Sequence, residues 1–324
     1  MNRPSLRPRL RAVNPCQSPA PCGMMGALSP VEAVMPVGFI GLGVMGTPMA
    51  SHLARTGSQV LGWSRSGRND AEAVAAGVEV ADGVEDVFAA CGTIILMLAN
   101  DAAIDSVLAR DSPEFAARAA GRLLINMGTS SASYSQALAQ QVRAAGGRYV
   151  EAPVSGSRVQ AEAAQLVILL AGEDEDVAQA SALVAPLGRQ CVPCGNVPAA
   201  LRMKLAVNLY LITLVTGLAE AVHFAEAHGI PLERFAQVLD AGPMASDVSR
   251  IKLDKMVRGD YAVQASITDV LKNSQLVAAA ARDAGITAPL IEASDALFAR
   301  AQRLGLGGLD MAAVLQALRG PPAA

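Results

Sequence analysis

The chain has 324 residues, 52% of them hydrophobic and 17% charged, which is enough for two domains with sizeable buried cores. Aromatic residues make up 3% and the formal net charge is -3, so neither a stacking platform nor a basic footprint points to nucleic acid, and no nucleic-acid partner is expected. Five cysteines, odd in number and scattered, suit a reducing, cytoplasmic setting, and three dispersed histidines offer no metal site.

Residues 1–34 carry Arg3, Arg7, Arg9 and Arg11 among prolines, with no acid before Glu32. They read as a disordered tail or as an extension ahead of a start at Met35. A transit peptide shares the Arg-rich, acid-poor composition, but the prolines oppose the amphipathic helix it needs. The apolar run at 37–40 predicts a strand. Gly41, Gly43 and Gly46 follow as G-x-G-x-x-G, and residues 45–56 predict a helix. Strand, glycine turn and helix in that order suit a dinucleotide: the glycines allow a tight turn and close approach to a pyrophosphate, and the helix N-terminus offers N–H groups to the anion.

A second strand is expected at 59–63. At its end, where a carboxylate would bind a ribose 2′-hydroxyl, stand Ser64-Arg65-Ser66. An arginine there pairs with a 2′-phosphate and points to NADP, unless it is only a solvated surface charge. Continuous apolar runs at 93–98 and 123–127 predict parallel strands buried on both faces, with helices at 84–90, 102–109 and 133–145. The alternation makes this a doubly wound α/β domain, with residues 97–100 and 128–130 over one crevice at the strand ends. Further strands are expected at 149–154 and 165–170, and a helix at 174–185. The loop Ser155-Gly156-Ser157-Arg158 either holds a carboxylate or simply connects. Cys191-x-x-Cys194 has no second pair beside it, so a redox or metal role lacks support.

From Pro198 the pattern becomes helical throughout. One long helix is expected over 199–228, with others at 233–239, 246–257, 270–284 and 291–305 and a short last one from Asp310. The apolar stretch 205–219 is interrupted by Asn208 and bounded by Lys204 and Glu220, so a helix buried between domains or subunits is expected, not a membrane span. The expected division is 1–34, a nucleotide domain at 35–197 and an all-α domain at 198–324. Lys204 and Asn208, four apart, share a helix face. The lysine either snorkels at the start of an apolar helix or supplies a proton to a carbonyl oxygen. Lys272 is a second candidate.

Several ordered segments together resemble the β-hydroxyacid dehydrogenase family, near its glyoxylate and succinic semialdehyde reductase branch. They are the glycine segment 38–46, Trp63-Ser64-Arg65-Ser66, residues 151–157, 165–169, Met203-Lys204-Leu205-Ala206-Val207-Asn208, and 303–310. The resemblance implies a Rossmann domain joined by a long helix to an all-α domain, in a homodimer or homotetramer. It implies NADPH-dependent reduction of a small-molecule carbonyl acid, with Lys204 as catalytic acid, Ser155, Gly156 and Ser157 on the substrate carboxylate, and Asn208 assisting. Gly41, Leu42, Gly43, Val44, Met45, Gly46, Ser64, Arg65, Met97, Leu98, Thr129 and Lys272 are the implied cofactor contacts, with no metal. Four departures bear on the substrate: Val197-Pro198-Ala199-Ala200 where the family has more glycine, Gly128 before Thr129 in place of serine, Ala265 in place of an aromatic residue, and Asn273 in place of aspartate. The rival readings are an imine reductase, which Lys204 opposes, and a non-catalytic NADP-binding scaffold.

Overall fold

The computed structural model describes residues 35–319, so the reading of residues 1–34 falls outside it. Strands and helices alternate from the start: β1 (Val37–Ile40), α1 (Gly46–Arg55), β2 (Val60–Trp63), α2 (Asp70–Ala75), β3 (Glu79–Val80), α3 (Val84–Ala90), β4 (Thr93–Leu96), α4 (Asp101–Leu108), α5 (Glu114–Ala119), β5 (Leu123–Asn126), α6 (Ala132–Ala144) and β6 (Arg148–Glu151). Strand order runs β3-β2-β1-β4-β5-β6, all parallel. The order reverses between β1 and β4, which opens a crevice at their carboxyl ends. One face of the sheet packs Phe39, Ile95, Ile125 and Val150 against Met49 and Leu53 of α1. The other packs Ile40, Ile94 and Leu124 against Val87, Ile104, Leu138 and Val142. Burial on both faces explains why these strands are unbroken apolar runs.

Beyond β6 the sheet departs from the parallel plan. β7 (Val154–Ser155), α7 (Arg158–Glu162), β8 (Leu166–Ala171), α8 (Asp174–Val184) and β9 (Gly188–Gly195) follow. β8 runs antiparallel to both β6 and β7, and β9 pairs parallel to β8. The single strand expected at 149–154 is divided at Ala152-Pro153, where proline has no N–H to give a ladder.

The helical part is built on α9 (Ala199–Ala227), about 43 Å long at 1.5 Å per residue. Around it lie α10 (Leu232–Ala241), α11 (Asp247–Arg258), α12 (Ile267–Asp283), α13 (Pro289–Arg303) and α14 (Val314–Arg319). By length and composition α9 would suffice to cross a membrane. Instead, Leu205, Ile212, Val215, Ala219 and Val222 form one buried stripe that packs with Leu253, Val270, Phe298 and Val314 of the surrounding helices. The opposite side keeps apolar residues at the surface, with Met203, Tyr210 and Phe224 47%, 68% and 60% exposed.

Candidate active site

Three loops meet above the carboxyl ends of the strands. After β1, Gly41 adopts φ +113°, and a side chain there would overlap the Met97 carbonyl. A Cβ on Gly46 would overlap the Gly41 carbonyl. A Cβ on Gly43, by contrast, would meet no atom within 4 Å, so this residue faces open space in the crevice. Helix α1 begins there with no side-chain cap and no acid in its first turn, and the buried Thr47 hydroxyl oxygen has no partner. An uncapped helix start, an open glycine and free polar groups fit a pyrophosphate.

The crevice encloses about 320 Å³ and is lined by Gly43, Val44, Met45 and Gly46, by Met97 and Leu98, and by Gly128 and Thr129 from the sheet. Gln264, Ala265, Asp269, Lys272 and Asn273 line it from the helical side, as does Lys204. Leu42 contributes differently: its side chain is buried in the core, and its carbonyl accepts a 2.9 Å bond from Asn69. Gly128 stands where the resemblance implies serine, and a Cβ there would come 2.9 Å from the Leu98 carbonyl oxygen, so the close approach of two loops selects glycine. At the end of β2, the Ser64 hydroxyl donates to Asp70 at 3.3 Å, while Arg65 and Arg68 are exposed. Arg68 is a second cation on this loop that the sequence reading passed over.

Lys204 is in the second turn of α9, 8% exposed. Burial alone brings its ammonium down from 10.5 to about 8. Beneath it, Glu151 at the end of β6 is fully buried and accepts the Leu201 N–H at 3.2 Å, tying the first turn of α9 to the sheet. Burial pushes the Glu151 carboxyl up, while the nearby Ser135 hydroxyl and the Leu201 and Ala200 amides act to lower it. Asn208 is one turn beyond Lys204 and 3% exposed; it lines neither the crevice nor the second cavity that adjoins it, whereas Lys204 lines both. Lys272 spans the two halves: its Nζ donates to the Ala99 carbonyl at 2.5 Å and the Thr129 carbonyl at 2.9 Å. Burial draws its pKa down, with Asp101 and Asp269 opposing.

A second cavity, about 520 Å³, adjoins the first and shares Gly156, Ser157, Lys204, Gln264 and Ala265 with it. Ser155 lines only this second space. Gly156 needs its φ of +139°. The Ser157 N–H and hydroxyl both donate to Gln160 Oε1, at 2.8 and 2.7 Å, in a capping box that starts α7. Gln160 was missed in the sequence, although Ser-x-x-Gln is a legible capping signal. Cys191 and Cys194 pack into different hydrophobic clusters from one strand, and an i, i+3 spacing puts them on opposite faces of it. No group of metal-ligating side chains occurs among the described residues.

This fold and crevice define a nicotinamide-dependent dehydrogenase. Residues 36–195 match the family model for the NAD binding domain of 6-phosphogluconate dehydrogenase, and residues 199–318 match that for the NAD-binding region of NADP-dependent 3-hydroxyisobutyrate dehydrogenase. The chain is 30% identical over 285 residues to glyoxylate/succinic semialdehyde reductase 1 of Arabidopsis thaliana, covering 88% of this chain and 99% of that one. Over 284 residues it is 27% identical to glyoxylate/succinic semialdehyde reductase 2 of the same plant, covering 87% and 79%. In fold it resembles 3-hydroxyisobutyrate dehydrogenase of Mycobacterium tuberculosis with L-serine, at TM-score 0.79 and 24% identity, covering 89% of this chain and all of that one. The chain belongs to the β-hydroxyacid dehydrogenase family and is an NAD(P)-dependent oxidoreductase.

Proposed function

We propose that this protein reduces aldehyde or keto acids of the glyoxylate and succinic semialdehyde type to hydroxy acids, using NADPH in preference to NADH, with Lys204 as the general acid. The observation that carries the reading is the buried Lys204 ammonium that lines both cavities, its pKa brought down to about 8 by burial. A proton donor works best when its pKa is near the working pH.

The nicotinamide, when bound, supplies the hydride. The backbone of Gly41, Leu42, Gly43, Val44, Met45 and Gly46 would hold the pyrophosphate, and Ser64 and Arg65 the 2′-phosphate. Met97, Leu98, Thr129 and Lys272 would border the rest. Ser155, Gly156 and Ser157 receive the substrate carboxylate once Gln160 gives up the Ser157 donors. Lys204 donates its proton to the carbonyl oxygen as the carbonyl carbon is reduced. The neutral amine then regains a proton from solvent through the second cavity. Burial keeps water off the lysine and makes its charge more effective on a developing alkoxide.

The test is cofactor oxidation with NADPH and with NADH against glyoxylate, succinic semialdehyde and a cyclic imine, in wild type and Lys204→Ala. Turnover of the two acids, faster with NADPH and lost in the variant, supports the reading. Turnover of the imine alone would transfer the site to imine chemistry and overturn it.

A further inference from the structure

We propose that the second cavity is a tail subsite, so that the preferred substrates are carbonyl acids bearing an apolar substituent of about four to eight carbons. This rests on the reductase reading above and names its substrate class. Two observations point to it. First, the cavity joins the catalytic crevice through the residues that carry the chemistry, Lys204, Gly156 and Ser157, with Gln264 and Ala265 opposite. A carbonyl held at Lys204 therefore has a chamber of about 520 Å³ beside it, within the roughly 300–1,000 Å³ typical of ligand pockets. Second, the lining exposes more hydrocarbon than polar surface, from Val207, Leu211 and Leu214 of α9, Val248 and Ile251 of α11, and Met311, with Gln165, Arg189, Ser246 and Asp247 as polar groups among them. Of the α9 residues, Val207 and Leu214 lie off its buried stripe, while Leu211 also packs against the helical core.

The passage between the cavities is fixed in shape. Asp310 is fully buried and accepts the Gln264 N–H at 2.9 Å, the Ala265 N–H at 3.2 Å and the Lys252 ammonium at 2.8 Å. Ala265 is further held by the Met311 N–H, which donates to its carbonyl at 2.8 Å. With so small a side chain on an anchored backbone, the passage stays open, and a ring at position 265 would fill it. Each methylene moved from water into such a space favours binding about three- to four-fold. The reaction itself is unchanged: the carbonyl carbon gains a hydride from the nicotinamide and the oxygen gains the Lys204 proton, leaving a hydroxy acid, oxidised cofactor and a neutral amine.

The experiment uses the full chain with NADPH and a series of 2-oxo acids from glyoxylate to 2-oxooctanoate, in wild type and Ala265→Phe. In parallel, binding of the unreactive acids acetate and octanoate to the NADP-loaded protein is measured by calorimetry. A rise in kcat/KM of at least ten-fold along the series, with the long-to-short ratio falling at least ten-fold in Ala265→Phe, is the expected result. Turnover that is flat or declines with length overturns the subsite and leaves the reductase reading in place. If no acid is turned over but octanoate binds at least ten-fold tighter than acetate, and Ala265→Phe abolishes the difference, the subsite stands and the reductase reading falls. Absence of both turnover and discrimination ends both. A Leu214→Asp variant that dissociates an oligomer without moving the ratio would assign this face to a second copy of the chain, and so overturn the subsite.

Discussion

Lys204 holds an ammonium where hydrocarbon would be more stable. Its pKa falls from 10.5 to about 8 on folding, so below pH 8 the fold must carry a buried charge that the unfolded chain keeps in water. The unfolded chain binds more protons between about pH 8 and 10.5, and the lysine's contribution to stability therefore improves as pH rises through that window. At pH 7, Lys204→Met should be more stable than wild type by roughly 3–4 kcal/mol, from about 1.4 kcal/mol for each pKa unit, while losing activity. Urea denaturation of both proteins at pH 7 and pH 10.5 checks this, and the gap should close at the higher pH. Arg65 makes a different prediction. It is exposed on a loop beside Arg68, so Arg65→Ala should raise KM for NADPH about ten-fold or more with little change for NADH. Equal effects on both cofactors would return Arg65 to a surface charge. The glycine turn and the Lys204 position were readable from residue type and spacing. For Asn208, i, i+4 spacing fixes a face shared with Lys204 but not which member of the pair lines a cavity, and Asn208 lines neither the crevice nor the second cavity.

At the scale of elements, the passage loop depends on one buried ion pair. Lys252 Nζ lies 2.8 and 3.0 Å from the two Asp310 oxygens, and three backbone amides complete the aspartate's shell. The Lys252 ammonium and these amides hold the Asp310 carboxyl below its ordinary value against the effect of burial. A depressed carboxyl contributes stability above its unfolded pKa and loses it as pH falls from about 3.9 through the lower folded value. Asp310→Ala should cost about 3–5 kcal/mol at pH 7 because it strands the Lys252 charge, and the difference from wild type should shrink on acidification. Denaturant titrations at pH 7 and pH 3 measure both effects. None of this was visible in the sequence, since residues 252 and 310 are brought together only by the turns between helices. β9 was equally hidden: Gly-Arg-Gln-Cys-Val-Pro-Cys-Gly has no apolar run, and it becomes a strand by pairing with β8 at the sheet margin. The central strands were legible because burial on both faces writes itself as Ile and Leu runs.

Across the whole molecule, two cores meet at one crevice, and Lys272 reaches across it. Its ammonium, on α12, holds the Ala99 and Thr129 carbonyls of two sheet loops. Lys272→Met should therefore loosen the helical half from the nucleotide loops and raise KM for the cofactor by about five-fold or more, with a smaller change in kcat. Steady-state kinetics at saturating acid separates the two. The order of strands then helices, and the long helix between them, followed from the change in period near residue 198. The second cavity did not, because it is formed where one side of α9 meets α11 and the Gln264–Ala265 loop, segments that only the fold brings together around one space. The departure at Ala265 was noticed in the sequence, but only the fold gives it a position between two cavities.

The most direct measurement is the pH dependence of kcat/KM for NADPH-dependent reduction of glyoxylate, in wild type and Lys204→Ala. With Lys204 as the acid, reduction needs its ammonium. The wild-type rate should be level below the lysine's pKa and fall about ten-fold per unit above about pH 8, and the reverse oxidation should rise through the same point. The variant should be slower by about 10²–10⁴-fold and lack that limb. A wild-type profile flat from pH 6 to 10, or a variant that keeps the limb near pH 8, would contradict the assignment of Lys204.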